Sequence, residues 1–170
     1  GRLTWFGRLE GNHHERAVGV RDVDFLKGCN MSFRRGFLSP IDQLLLGPVP
    51  YGFEIDLGLA LRERGSRLVY DPEALVDHYA SSDMSARQVA LARVTNHNQT
   101  YVLLKHLRWP RKLAFLLYTF VIGDRNTIGI VRVPALVWRD GWTRRELWAH
   151  FAGKFAGIQT YTRSRRRCTA

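Results

Sequence analysis

The stretch YGFEIDLGLALRERGSRLVYDPEALVDHY, residues 51–79, constrains the fold more than any other part of the chain. Leu57, Ala60 and Leu61 recur at helical spacing, so residues 54–64 read as a helix with one apolar face. Glu54 and Asp56 open it and Arg62 and Arg64 close it, the order that complements a helix dipole. Gly65 stops it, RLVY reads as a short strand, and Asp71-Pro72 turns the chain into a second extended run ending at His78. A helix that only fills a core needs neither carboxylate at its mouth nor the histidine that follows.

Upstream, Leu3, Trp5, Val18, Val20, Val23 and Phe25 alternate partially with polar residues, which predicts short strands, with Gly11-Asn12 as a turn between them. Gly28-Cys29-Asn30 is a small-residue break where backbone can approach a ligand or another segment closely. Ser39 and Pro40 predict the start of a short helix that Gly47-Pro48 and Pro50 end. Downstream, Ser85 opens a long helical pattern that closes near Trp109-Pro110. The apolar run LAFLLYTFVI, residues 113–122, is too short to span a bilayer, which takes about 20 residues. Arg108, Trp109, Arg111 and Lys112 flank it, so two readings stay open: a buried helix, or a segment lying at a membrane interface. The C-terminal stretch predicts an amphipathic helix followed by a basic tail.

Charge divides the chain where the helical pattern begins. Residues 1–85 carry 10 basic and 12 acidic side chains, and residues 86–170 carry 16 and 3. Such a basic half attracts polyanions: nucleotide phosphates, acidic lipid headgroups or nucleic acid. An apolar content of 45% excludes simple disorder, and 170 residues fit one domain or part of a larger one. The opening Gly1 and the lack of a charged-then-apolar leader lead us to expect a piece of a longer chain. Cys29 and Cys168 form no CxxC pair, which is consistent with a reducing, cytosolic-side setting.

Two features bear on chemistry directly. Asp22-Val23-Asp24 spells D-x-D, a pattern that can hold a divalent metal on a nucleotide diphosphate, but its apolar neighbours read better as an ordinary half-buried strand. Glu54 and Asp56 sit where helix amides favour anions, so they serve either as charge compensation or as a proton-accepting pair. His78 is either a structural histidine or an imidazole for a metal or a diphosphate.

The ordered set Gly28, Asn30, Met31, Arg34, Arg35, then Glu54, Asp56, Leu57, Gly65, Leu68, Tyr70, Pro72, Ala74, Val76, His78 resembles the C-terminal half of the catalytic domain of family 2 glycosyltransferases, the inverting GT-A type. The resemblance covers roughly residues 20–80. It implies an α/β fold: part of a Rossmann-like nucleotide-diphospho-sugar transferase sandwich over residues 1–84, followed by a basic, amphipathic helical region over 85–170. It implies sugar transfer from a nucleotide-sugar donor to a carbohydrate or lipid-linked acceptor. Glu54 takes the place of the catalytic base and Asp56 that of its supporting acid. Gly28, Asn30, Arg34 and Arg35 fall on the substrate side, and His78 near the diphosphate or metal. A divalent metal, Mg or Mn, is implied, held mostly by residues outside this segment. Phe53 departs from the acidic residue the family often carries before the base. The Q-x-x-R-W signature of processive synthases is absent, so single-sugar transfer is expected. The family's N-terminal half has no counterpart here, so the segment alone is expected to be inactive and to expose strand edges that weaken it.

The basic half adds a second expectation, an acidic membrane surface as partner and a location at its cytoplasmic face. The alternative to an enzyme is a non-catalytic basic module docking on acidic lipid or nucleic acid. Tryptophans interspersed with arginines suit base stacking, but the chain carries no nucleic-acid-binding signature, so nucleic acid is the weaker of the two.

Overall fold

The computed structural model describes residues 1–11, 19–47, 51–77 and 88–168. It is mixed α/β in the coarse sense: mostly helix, with two small antiparallel sheets among the described residues. β1 (Arg2–Leu3) pairs with β2 (Leu9–Glu10), Arg2 opposite Glu10. β3 (Arg21–Asp22) pairs with β4 (Val69–Tyr70), Arg21 opposite Tyr70. With two residues each, these strands offer little edge for another chain to pair with.

The helix read at 54–64 forms as α1 (Phe53–Glu63), with Gly65 at φ +82° where the chain leaves it. Gly58, a poor helix residue, is explained by packing. A Cβ there would lie 3.0 Å from Phe25 Cα and 3.2 Å from the Asp24 carbonyl, so α1 rests directly on the chain that follows β3. Asp24 locks this layer: it pairs with Arg62 of α1, and its Oδ2 accepts the Leu3 amide at 2.6 Å. Asp22 pairs with Arg67 at 2.8 Å. Both acids of the D-x-D therefore have structural partners.

The remaining helices are α2 (Gln88–His106), α3 (Arg111–Leu117), α4 (Val133–Asp140) and α5 (Arg144–Cys168). From Asn96 to Leu104, α2 is buried on all sides, so its polar run must find partners inside. Asn98 donates to the carbonyls of Leu46 and Tyr51, both at 2.9 Å, and accepts the Leu46 amide at 2.8 Å. His97 Nε2 meets Thr160 Oγ1 of α5 at 2.8 Å. The main core joins Leu45 and Leu59 to Tyr101, Val102, Leu103, Leu104, Leu107 and Phe115, with Leu3, Leu9, Phe53 and Ile55 packed against it. It crosses the 84/85 boundary, so the N-terminal region and the helical region share one interior.

One sequence expectation changes. Around Ser39 and Pro40 there is no helix; Asp42 instead builds a turn, accepting the Leu44 amide at 2.9 Å, while its other oxygen holds Tyr101 and Lys105, each at 2.8 Å. The 113–122 run is helical, continuing α3 through a π-helical turn at Tyr118–Ile122. It is two-faced: Phe115, Tyr118 and Thr119 are buried, whereas Leu113, Leu117, Val121 and Ile122 are exposed. No helix among the described residues is long and apolar enough to cross a membrane. Ser85 and His78 lie outside the described residues.

Candidate active site

The first turn of α1 opens into a cleft of about 790 Å³. Its polar lining includes Lys27, Cys29, Asn30, Glu54, Tyr70 and Asp71. Its apolar lining includes Val23, Phe25, Leu26, Leu75 and Val76. One wall is the tight turn Lys27–Asn30, closed by the Asn30 amide donating to the Lys27 carbonyl at 3.0 Å. The opposite wall is the Asp71-Pro72 turn, in which Asp71 Oδ1 accepts the Glu73 amide at 2.9 Å. Asn30 spans the two walls, its Nδ2 donating to the Ala74 carbonyl at 2.6 Å.

Glu54 sits beneath the 27–30 turn. A Cβ on Gly28 would lie 3.7 Å from the Glu54 Cδ and 3.8 Å from its Oε2, ordinary van der Waals contact, so the turn packs directly against the carboxyl. Burial pushes the Glu54 pKa above the ordinary 4.5, and hydrogen bonds from the Glu54 and Gly52 amides only partly oppose it. A carboxylate with a raised pKa, on the floor of a hollow, is a stronger proton acceptor than one in water.

Asp56, two positions along the helix, points elsewhere. It is buried, and its carboxylate takes His106 Nε2 at 2.7 Å and Lys105 Nζ at 2.9 and 3.1 Å. Burial raises its pKa, but the hydrogen bonds and charge of His106 and Lys105 outweigh that and leave it below 3.8. Lys105 bridges onward to Asp42, and His106 Nδ1 meets Glu63 at 2.9 Å. The acidic pair thus divides: Glu54 faces the cleft, and Asp56 ties α1 to α2.

The other expected site residues divide too. Gly28 and Asn30 come to Glu54 in one wall. Arg34 and Arg35 are exposed at a 3-10 turn, Arg35–Phe37, and do not line the cleft. His78 lies just past Val76 in sequence, outside the described residues. As for a metal, no three His, Cys, Asp or Glu side chains among the described residues come together as a ligand set, so we derive no step through one. Lys27, Cys29 and Asp71 were not singled out from the sequence. Asp71 had a signal, the Asp-Pro turn; Lys27 and Cys29 had only their place beside the Gly28 break.

The chain matches no protein-family model, no curated protein and no solved structure.

Proposed function

We propose that this cleft is the acceptor side of an inverting glycosyltransferase, and that the chain is the C-terminal part of a GT-A type catalytic domain with its following helices. One observation carries the reading: the Glu54 carboxyl, its pKa raised by burial, lining a cleft against the 27–30 turn that forms one of its walls. The ordered motif from Gly28 to His78 supports it independently.

In the proposed reaction the acceptor hydroxyl gives its proton to Glu54. The oxygen's electron pair forms a bond to the anomeric carbon of the donor. The bond from that carbon to the diphosphate breaks on the opposite face, so the nucleoside diphosphate leaves with the electron pair and the configuration inverts. Asn30 and the 27–30 turn position the acceptor, and the apolar wall of Val23, Phe25 and Leu26 sheds water from the reacting face. Asp56 acts by holding α1 against α2, and so by fixing the angle at which Glu54 enters the cleft.

The test is transfer from nucleotide-sugar donors, assayed by release of nucleoside diphosphate, in the complete protein and in its Glu54→Gln variant. Loss of a general base lowers kcat by about 10²–10⁴. An unchanged rate in Glu54→Gln would remove Glu54 from the reaction.

A further inference from the structure

None of the eight residues of α4 is buried, and among the described residues its main packing is against the short turn Ile130–Arg132 that leads into it. Yet its sequence, VPALVWRD, is largely apolar. Trp138 is 87% exposed, and Val131 and Ile130 are 67% and 61% exposed. The turn Ile130–Arg132 packs in turn on Tyr118–Ile122, whose Val121 and Ile122 also face outward. Three contacting elements therefore each carry exposed apolar side chains. Arg125 and Arg132 are exposed along the same segment, as is Arg139, which pairs with Asp140 at 3.0 Å; the other acid of the segment, Asp124, is taken up by the Asn126 and Thr127 amides.

We propose that α4, with the turn before it and the outer face of Tyr118–Ile122, seats this protein on an anionic lipid bilayer, lying in the plane of the interface. The sequence left 113–122 open between a buried helix and such a role; α4 adds the most exposed apolar side chain, Trp138. The occupant follows from the chemistry. Its exposed side chains are aliphatic and aromatic, and suit an apolar phase. Trp138 beside Arg139 places an amphipathic ring and a cation where headgroups meet acyl chains. The arginines match anionic headgroups, whose field falls off within a Debye length. With no spanning helix among the described residues, the fit is to the surface of the bilayer. The inference does not depend on Glu54 chemistry.

The experiment is co-sedimentation of the protein with vesicles of phosphatidylcholine alone and of phosphatidylcholine mixed with phosphatidylglycerol. Binding to the anionic vesicles is expected, with much weaker binding to the neutral ones. The double variant Val131→Asp/Trp138→Asp should bind roughly tenfold or more weakly. Since Val131 and Trp138 are both exposed, the variant's circular dichroism and melting midpoint should match those of the parent. Arg132→Gln/Arg139→Gln should weaken binding to anionic vesicles alone. Glu54→Gln should bind as the parent does, which separates this inference from the catalytic one. Equal binding by the Val131→Asp/Trp138→Asp variant, or no binding by the parent, overturns the proposal. So does a parent dimer that this variant dissolves without any vesicle binding, because these side chains would then be covered by a second copy.

Discussion

Two acids separated by one residue on α1 face opposite chemical demands, and their titrations should run in opposite directions. The folded-state pKa of Glu54 lies above its ordinary 4.5, because burial disfavours the charge. Its contribution to stability is therefore present below the unfolded value and lost as pH rises through the raised one. Glu54→Gln should raise the melting midpoint at neutral pH, and the difference from the parent should shrink on acidification; a midpoint that falls at pH 7 would contradict this. In the transfer assay the same shift should place the acid limb of kcat/KM above 4.5. Asp56 and Asp42 behave conversely. Burial raises both pKa values, but Lys105 acts on both, with His106 on Asp56 and Tyr101 on Asp42, and each ends below 3.8. Their contribution is complete above the unfolded value and is lost as pH falls through the depressed ones. Asp56→Asn leaves Lys105 with Asp42 alone and weakens the His106 contact. It should cost about 2–3 kcal/mol, read as a lower urea midpoint at pH 7, with the deficit closing in strong acid. If Asp56→Asn instead removed transfer without any loss of stability, Asp56 would belong to the cleft after all.

At the level of elements, the crossing of α2 and α5 is set by two glycines one helical turn apart. A Cβ on Gly153 would lie 2.4 Å from the Arg93 carbonyl, and one on Gly157 would lie 2.5 Å from the His97 carbonyl. Such contacts force the helices apart. Each Gly→Ala change improves helix propensity by about 1 kcal/mol but overpacks the crossing at a cost of about 1–3 kcal/mol or more. Gly153→Ala and Gly157→Ala should each destabilise, read by urea denaturation, and a stabilised Gly157→Ala would mean that the helices do not approach so closely. This crossing was hidden in the sequence, because a glycine in a helix does not announce what it touches. By contrast α1 was legible within a residue at each end, because its apolar spacing, its charged ends and Gly65 are all local signals. The cleft was half legible. The Gly28 break and Glu54 stood out as motifs, but the role of Asp56 depends on Lys105 and His106, 49 and 50 positions along the chain. The turn at Asp42 displaced the helix expected after Ser39 for the same reason, since Tyr101 and Lys105 draw the carboxylate.

Across the whole molecule, a division of charge does not become a division of structure. The sequence changes character near residue 85, from nearly balanced charge to strongly basic, which suggests two regions that stand apart. The interior does not follow that line. Leu45 and Leu59 bury against α2, Phe115 of α3 packs in the same cluster, and Arg111 of α3 donates to the Trp5 and Thr4 carbonyls at 2.9 and 3.0 Å. Among the described residues, 1–84 keep for themselves only the small cluster of Val23, Leu61 and Leu68, with a few partly buried neighbours. A cluster of that size cannot offset the backbone entropy of ordering the segment, about 1–2 kcal/mol per residue. A chain cut after residue 84 should therefore remain unfolded, with no cooperative transition in urea. The intact chain should unfold in one step. Trp5 is the sole tryptophan before residue 85, and the other four lie beyond it. Replacing those four by Phe isolates the Trp5 signal, whose transition should coincide with the far-ultraviolet circular dichroism that reports α2 and α5. Separate midpoints for the two probes would mean that the region around the cleft opens independently of the helices. The Glu54 site would then be held in place by its own small cluster, and α2 would have no part in positioning it.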